Sequence, residues 1–271
     1  MTPEVSIMGC GWLGLPVAKH LIGLGFDVKG STTSVDKVPT LRSFGIQPFM
    51  IESVPPLKGE CIKEFFQSKI LVINVPFRRT LPSADIYKNQ IESIIQAMLG
   101  SPVEFVIFAS STAVYPKNLS EAKEDASFLP DTPRAQILLE IEQMLLKQKN
   151  FSATIIRLAG LYGGERLIGN FLSMGKRPKA DLGPANLIHQ DDCVAIIAKI
   201  IQHNIRGEVL NACSDVHPMK DVLYSRAAKN LHLPPPAFEK NAGRVSKIVP
   251  NDKLKMVLQY RFKHPNPLDD C

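Results

Sequence analysis

Three glycines near the start of the chain have the spacing of a phosphate-binding loop. They lie in the segment Gly9-Cys10-Gly11-Trp12-Leu13-Gly14. In a GxGxxG loop the first glycine permits a tight turn, the second lets the backbone approach a pyrophosphate, and the third lets helix pack on strand. An ordinary strand–turn–helix junction needs one glycine at most. We therefore predict that these six residues bind the pyrophosphate of a nicotinamide dinucleotide.

The elements around this segment support the same prediction. An apolar run at Val5–Met8 predicts a strand that leads into the glycines. Apolar residues then recur at helical spacing, at Leu13, Val17, Leu21 and Leu24. The start of that helix would present unbonded N–H groups and a positive dipole to phosphate.

The residues that follow the second predicted strand bear on which dinucleotide binds. NAD enzymes usually have Asp or Glu there, which binds the ribose hydroxyls. This chain has Ser31, Thr32 and Thr33 instead, with Lys37 following, while Asp27 lies at the start of the strand. Hydroxyls and cations suit the 2′-phosphate of NADP, which we favour over NAD. The alternative is that the hydroxyls only satisfy the loop or cap the next helix.

Short β-branched runs alternate with helical patterns through the first 160 residues, which is typical of βαβ units. The pattern predicts an α/β fold with a Rossmann-type, doubly wound parallel sheet and a small C-terminal α+β substrate region. We assign residues 1–158 to a dinucleotide-binding domain, with 186–212 packing back onto it, and 159–271 to the smaller substrate-binding region. The predicted strands are Val5–Met8, Phe26–Gly30, Ile46–Met50, Ile70–Val75, Val103–Ala109 and Ala153–Leu158. A further helix near Asp192–Gln202, a strand near Glu208–Asn211 and a last helix at Asp252–Leu258 are also predicted.

Composition narrows the class of protein. No run of about 18 apolar residues is present, so we expect no membrane span, and the N-terminus lacks the basic region of a signal peptide. The five cysteines form no CxxC pair, which predicts neither a zinc site nor a disulfide framework and favours the cytoplasm. The net charge of +6 comes without a basic block or an aromatic-basic motif. We therefore expect an anionic small molecule, not a nucleic acid, as the partner.

Several ordered segments resemble the extended short-chain dehydrogenases, the group that contains nucleotide-sugar epimerases and dehydratases. Ser110-Ser111-Thr112-Ala113-Val114-Tyr115 resembles its SSxxVYG segment, and Arg157 to Gly163 resembles its RxxxxYG segment. Ile188 to Val194 is similar to its HxxDxA/V helix start, Asn211 to Asp215 to its NxxS(D) strand end, and Asn251 to Tyr260 to its NxKLxxxLG(Y/W) ending. The GxGxxGxPxAxxL opening at Gly9–Leu21 also resembles the β-hydroxyacid dehydrogenases, but those continue into an all-helical domain.

The chain departs from the extended group at its catalytic YxxxK pair. Aligning Glu142 with the glutamate usual later in that helix puts Arg134 where the tyrosine belongs and Leu138 where the lysine belongs. No tyrosine lies between Tyr115 and Tyr162, and none is followed four residues later by lysine. The resemblance therefore implies an atypical member that has lost the catalytic dyad.

Three residues remain as catalytic candidates. Ser111 matches the substrate-facing Ser/Thr of the family and would orient a carbonyl. Arg134 would bind an anion or stabilise an oxyanion, and its alternative is a solvated first-turn residue. Tyr115 would be a displaced acid, although in the family this tyrosine usually packs beside the sheet. Further cofactor contacts are expected from residues at strand ends, which are Asn74, Val75, Pro76 and Ser110.

The leading functional hypothesis is an NAD(P)-dependent oxidoreductase or an epimerase/dehydratase-like enzyme. Its substrate would be a small carbonyl or sugar-derived compound, and the chain would be a monomer or a homodimer. The alternative is a non-catalytic NADP-binding sensor or scaffold of the same fold.

Overall fold

A large, mostly parallel β-sheet dominates the computed structural model, which describes residues 4–78, 80–170, 182–234, 236–238 and 247–271. The strands in these residues are β1 (Glu4–Met8), β2 (Asp27–Thr32), β3 (Gln47–Glu52), β4 (Lys58–Gly59), β5 (Ile70–Ile73), β6 (Phe105–Ser111), β7 (Ser152–Leu158), β8 (Gly160–Tyr162), β9 (Leu187–His189) and β10 (Val209–Ala212). Eight of these strands form the large sheet in the order β10-β7-β6-β5-β1-β2-β3-β4. The predicted α/β fold with a Rossmann-type parallel sheet is confirmed.

The strand order creates a switch point beside β1. The chain moves outward from β1 to β2 and β3 on one side, and β5 pairs with β1 on the other. Both neighbours are parallel to β1, in registers that include Ile7↔Gly30 and Ile7↔Val72. Ligands of open α/β sheets bind outside the carboxyl ends of the strands at such a point. Here β1 ends at Met8, directly before the glycines.

The central strands are buried because most of their residues are apolar, and the buried Ser6 of β1 donates its hydroxyl to the Phe65 carbonyl. The side chains of Val5, Ile7 and Met8 in β1 are at most 1% exposed, and β5 and β6 are equally covered. A sheet with helices on both faces requires such runs, since neither face of a central strand meets water. These runs are the residues from which the sequence predicts the strands.

Helices follow most strands, and two of the longer ones have side-chain caps. The helices whose bounds lie within the described residues are α1 (Gly14–Gly23), α2 (Val38–Ser43), α3 (Ile62–Phe65), α4 (Ala84–Met98), α5 (Pro133–Leu146), α6 (Gln190–Gln202), α7 (Lys220–Asn230) and α8 (Asp252–Leu258). Ser83 caps α4 by accepting the N–H of Asp85, and Thr132 caps α5 by accepting the N–H of Ala135. Helices α4 and α5 pack together, and Lys88 Nζ lies 2.8 Å from a Glu140 carboxylate oxygen.

Contacts divide the chain into two compact units. The first contains residues 1–110, 132–156 and 194–209, and the second contains 111–131, 157–193 and 210–271. The second unit has the small parallel sheet β8-β9. Its apolar core joins side chains from distant positions, which are Tyr162, Ile168, Ala185, Leu223 and Ala227.

One expectation differs from the structure, and one helix was not predicted from the sequence. Leu24 is 41% exposed and not core, because α1 ends at Gly23 and the chain turns there. Helix α7 carries no sequence prediction, because its buried face consists only of Leu223, Ala227 and Ala228. In the described part of the chain, no helix combines the length and the apolar character needed to cross a bilayer.

Candidate dinucleotide site

The glycine turn (Gly9–Gly14) lies between the ends of two strands. The N–H of Gly9 donates to Ser31 Oγ at 2.8 Å, and Cys10 N–H donates to the Ser31 carbonyl at 2.8 Å. On the other side, the amide of the Asn74 side chain donates to the Gly9 carbonyl at 3.0 Å. Gly9, Ser31 and Asn74 therefore meet at the carboxyl edge of the sheet, where β5, β1 and β2 end.

Two glycines of the turn are required by the protein itself. Gly9 has φ +103°, and a Cβ there would lie 2.7 Å from the Asn74 carbonyl oxygen. A Cβ on Gly14 would lie 2.1 Å from the Gly9 carbonyl oxygen. Both positions would clash with backbone atoms, so packing alone explains these two residues.

Gly11 is different, because nothing in the described chain requires a glycine there. A Cβ on Gly11 would meet no atom within 4 Å, and its φ lies outside the left-handed range. The residue therefore leaves open space above the turn. This is the second glycine of the motif, the position at which backbone approaches a pyrophosphate.

The start of α1 is open to an anion. Leu13 occupies the N-cap position and makes no side-chain cap, and the first turn carries no acidic residue. The helix dipole makes this end of α1 positive, while the Leu15 N–H already donates to the Gly11 carbonyl at 3.0 Å and Pro16 has no N–H. Ser83 and Thr132 satisfy the corresponding end of α4 and α5, whereas α1 has no comparable side chain.

Cys10 faces inward, beneath the turn. Its Sγ lies 2.6 Å from where a Cβ on Gly30 would stand, so the thiol occupies space that Gly30 leaves. Burial raises the pKa of the Cys10 thiol to about 12, while the charge of Lys37 acts in the opposite direction. The thiol is therefore protonated at neutral pH, and Lys37 is close enough to the turn to act on it.

The hydroxyls predicted to face a 2′-phosphate differ in their surroundings. Ser31 is 2% exposed, and its Oγ accepts the Gly9 N–H and donates to Met8 Sδ at 3.2 Å. Thr32 Oγ1 accepts the N–H of Ser34 at 3.1 Å. Thr33 is exposed directly after β2. The structure thus uses the first two hydroxyls to hold the loop and leaves Thr33 at the surface.

The loop after β5 is held by aromatic and cationic contacts. The Val75 carbonyl accepts the Tyr87 hydroxyl at 2.8 Å, and the rings of Phe77 and Tyr87 stack with centroids 4.2 Å apart. Pro76 lies between Val75 and Phe77 in the chain and is exposed. Burial raises the pKa of Tyr87 above its usual range, so its hydroxyl remains a donor.

Arg134 contacts this same loop. Its Nη2 donates to the Phe77 carbonyl at 2.7 Å, and its guanidinium lies 4.1 Å from the centre of the Phe77 ring. Sequence reasoning did not identify Phe77, because no local pattern shows that residue 134 reaches residue 77.

Ser110 is the last residue of the first unit along β6. It is 5% exposed, and its Oγ donates to Glu142 Oε1 at 2.5 Å. Glu142 is 1% exposed and lies on α5. The hydroxyl of Ser110 therefore serves to satisfy a buried carboxylate.

The other two catalytic candidates belong to the second unit. Ser111 Oγ accepts the N–H of Ala113 at 3.2 Å and so begins the 3-10 turn Thr112–Val114. Tyr115 is 2% exposed. Its hydroxyl donates to Asn211 Oδ1 at 2.9 Å and accepts from Arg157 Nη1 at 2.7 Å.

The environment of Tyr115 favours its protonated form. Burial raises the pKa of the Tyr115 hydroxyl, against the opposing charge of Arg157. The sequence places Arg157 at the start of the RxxxxYG segment but does not indicate its role. The one feature that could have indicated a buried contact is an arginine near the end of an otherwise apolar strand.

Comparison with solved structures identifies the class of fold. A putative NAD-dependent epimerase/dehydratase from Methylobacillus flagellatus superposes with a TM-score of 0.79 at 24% identity, over 100% of this chain and 96% of that one. The UDP-glucuronic acid 4-epimerase of Bacillus cereus, solved with UDP-glucuronic acid and NAD, gives a TM-score of 0.79 at 18% identity, over 98% and 96%. The chain thus has the fold of these two proteins, and the predicted resemblance to epimerases and dehydratases is confirmed at the level of the fold.

Sequence comparison adds the particular family. No family model matches the chain. Protein YeeZ of Escherichia coli (strain K12) is 32% identical over 269 residues, which cover 98% of this chain and 97% of that protein. The chain belongs to the YeeZ family.

Proposed function

We propose that the glycine turn binds the pyrophosphate of a nicotinamide dinucleotide. The open space at Gly11 carries the proposal, because Gly11 is the second glycine of the motif and its missing side chain leaves room for a pyrophosphate to approach the turn. The start of α1, which has no side-chain cap and no acidic residue in its first turn, supplies a positive dipole at the same place. A fold neighbour adds support, since the Bacillus cereus epimerase was solved with UDP-glucuronic acid and NAD.

We further propose NADP as the preferred cofactor, with NAD as the alternative. No acidic residue ends β2, and Asp27 lies at its opposite end. Thr33 is exposed after the strand, and the charge of Lys37 reaches Cys10 in the turn. A hydroxyl and an ammonium group at this edge suit a 2′-phosphate better than two ribose hydroxyls.

The chemistry we propose is that of an oxidoreductase or an epimerase/dehydratase-like enzyme acting on a small, anionic carbonyl or sugar-derived compound. When bound, the nicotinamide ring exchanges a hydride with the substrate. Ser111 would orient the carbonyl through its hydroxyl. Arg134 would fix the loop of Asn74, Val75 and Pro76 through Phe77, and Tyr115 would stabilise the fold and not transfer a proton.

A second candidate function is a non-catalytic NADP-binding sensor or scaffold. One observation favours it: each catalytic candidate already uses polar atoms to hold the protein's own structure. Ser111 accepts an amide, Arg134 binds the Phe77 carbonyl, and Tyr115 lies between Arg157 and Asn211. The absence of a YxxxK pair from the sequence points the same way. The five unpaired thiols are consistent with the cytoplasm for either function.

The test separates binding from turnover. NADPH and NADH are each titrated while the thermal midpoint is followed, and a ligand at 100 times its Kd should add about 2.7 kcal/mol of stability. NADPH oxidation is then measured over a panel of anionic carbonyl compounds and UDP-sugars. Saturable NADPH binding with turnover supports the enzyme, and binding with a change in oligomeric state but no turnover supports the sensor. The proposal fails if neither dinucleotide shifts the midpoint.

A further inference from the structure

Gly9, the first residue of the glycine turn, is held by side chains from both neighbouring strands. Its N–H donates to Ser31 Oγ at 2.8 Å, and its carbonyl accepts the side-chain amide of Asn74 at 3.0 Å. Ser31 lies in β2 and Asn74 directly follows β5, and β1 lies between these two strands. Each polar group of this one backbone residue therefore has a side-chain partner.

The Gly9 carbonyl also closes the turn. It accepts the N–H of Gly11 at 2.9 Å, so the backbone of Gly11 and the amide of Asn74 share one acceptor. A Cβ on Gly14 would lie 2.1 Å from this oxygen and 3.1 Å from Asn74 Nδ2. The carbonyl thus lies between Asn74 and the start of α1, in a space that leaves no room for a further side chain.

A turn that contains three glycines needs such restraint. Glycine has no Cβ and adopts many backbone conformations, so it loses more conformational freedom than any other residue when it is ordered. A ligand that binds an unrestrained turn must order it, and the apparent affinity falls with the fraction of molecules that have the competent conformation. Contacts that order the turn in the free protein remove this cost.

The hydroxyl of Ser31 can act on a ligand only through Gly9. Ser31 is 2% exposed, and its Oγ accepts the Gly9 N–H and donates to Met8 Sδ at 3.2 Å. Its carbonyl accepts the Cys10 N–H at 2.8 Å, which holds the next residue of the turn. Because protein atoms cover the side chain, it shapes the turn and does not itself touch a phosphate.

Asn74 holds the turn from a fixed strand end. Its backbone N–H donates to the Met8 carbonyl at 2.9 Å, which places its backbone beside the end of β1. A Cβ on Gly9 would lie 2.7 Å from the Asn74 carbonyl oxygen, so the two backbones are in close contact. The side-chain amide therefore reaches the Gly9 carbonyl from a backbone that is already in place.

We propose that Ser31 and Asn74 are positioning residues for the dinucleotide, which fix the glycine turn in its binding conformation before the ligand arrives. This role rests on the proposed function, because it concerns the same pyrophosphate site. Ser31 thereby differs from Thr33, whose exposed hydroxyl remains the candidate contact for the 2′-phosphate. Positioning residues increase the association rate, since more of the free molecules can bind, and leave the dissociation rate unchanged.

Stopped-flow binding of NADPH to the full chain tests this role. Trp12, the one tryptophan of the chain, lies within the turn, and its fluorescence together with that of NADPH reports association and dissociation. Ser31→Ala and Asn74→Ala should associate about 5-fold more slowly than the parent and dissociate at the parent's rate. A side chain that bound the ligand directly would instead leave association unchanged and accelerate dissociation.

Ser68→Ala is the matched control. Ser68 is also 2% exposed, and its hydroxyl donates to Ser6 Oγ at 2.8 Å, but it precedes β5 and so lies at the amino edge of the sheet. This variant should lose stability in chemical denaturation and still bind NADPH at the parent's rates. The comparison separates a positioning role from a general loss of stability.

Different results would overturn the dinucleotide site and the positioning role. If the parent binds neither NADPH nor NADH, the site itself is wrong. If the parent binds NADPH while folded Ser31→Ala and Asn74→Ala associate as fast as Ser68→Ala, only the positioning role is overturned, as it is if they change dissociation alone. Asn74→Ala decides the outcome if Ser31→Ala does not fold, because Asn74 is only half-buried.

Discussion

The guanidinium of Arg134 lies over the ring of Phe77, 4.1 Å from its centre, and donates a 2.7 Å hydrogen bond to the carbonyl of the same residue. One side chain at the start of α5 thereby holds both the ring and the backbone of the loop after β5. Since Asn74 of that loop binds the Gly9 carbonyl, Arg134 is connected to the glycine turn through two contacts.

Arg134→Ala should therefore destabilise the protein and weaken dinucleotide binding. A charge-assisted hydrogen bond and a cation–π contact at a half-buried position contribute about 1–2 kcal/mol. Arg134→Lys keeps the charge but loses the planar stack, so it should resemble the alanine variant in binding. Chemical denaturation and NADPH titration measure both effects. If Arg134→Lys binds NADPH as tightly as the parent while Arg134→Ala does not, binding depends on the positive charge at residue 134 and not on the position of Phe77.

Gly11→Ala should weaken NADPH binding by about 10-fold or more, because the added methyl occupies the space above the turn. The unliganded protein should unfold at the same temperature or slightly higher, since no atom lies within 4 Å of the new Cβ. Gly23→Ala is the matched control, as its Cβ also meets no atom. Equal NADPH affinity in the two variants would remove the main support for the dinucleotide site.

Lys37→Ala should weaken NADPH binding by about 10-fold and leave NADH binding unchanged, since only NADPH carries the 2′-phosphate. Lys63→Ala serves as the control because α3, which precedes β5, lies at the amino edge of the sheet. Fluorescence titration of each variant with NADPH and with NADH gives the four affinities to compare. An equal loss for NADH and NADPH would argue against the NADP preference.

Tyr115→Phe should cost about 1–3 kcal/mol of stability, because the buried Arg157 and Asn211 would each lose a partner. Turnover per folded molecule should not change. A proton-donating tyrosine would instead lower kcat by about 10²–10⁴-fold. Denaturation together with kinetics distinguishes the two roles, and a large loss of kcat at normal stability would restore Tyr115 as the acid.

His217 should make the protein less stable in mild acid. Burial lowers its pKa, while Asp215 acts in the opposite direction, and Cys213 Sγ lies 3.8 Å from its Nδ1. The unfolded chain, with an ordinary pKa of about 6.5, then binds more protons than the folded one as the pH falls below that value. His217→Asn should flatten the decline in unfolding free energy between pH 7.5 and about 5.5. The exposed His203→Asn should not, and identical slopes in both variants would contradict the assignment.

The elements around the glycine turn are predictable because local patterns determine them. Continuous apolar runs predict β1 and β5, and three glycines at fixed offsets predict the turn. The orientation of the Ser31 side chain is not predictable, since its hydroxyl accepts the N–H of Gly9, which follows the neighbouring strand β1. Ser31 and Thr33 therefore look equivalent in the sequence, yet one is buried and the other exposed.

Long-range contacts account for most of what the sequence does not reveal. Arg134 reaches Phe77 across 57 residues, and Tyr115 reaches Asn211 across 96. Each pair depends on how strands and helices pack, for which hydrophobic periodicity carries no information. The stacked rings of His189 and His264 are a further case, because they are far apart in sequence and the Asp192 carboxylate holds Lys263 and His264 in place through their amides.

That carboxylate also affects the order of events during synthesis on the ribosome. The donors that satisfy Asp192 come 68 to 72 residues later in the chain. Until those residues have emerged from the exit tunnel, α6 carries a charge that cannot be buried without several kcal/mol of cost. The strands around β1 do not depend on these donors, so this part of the sheet can form before residues 260–264 have emerged.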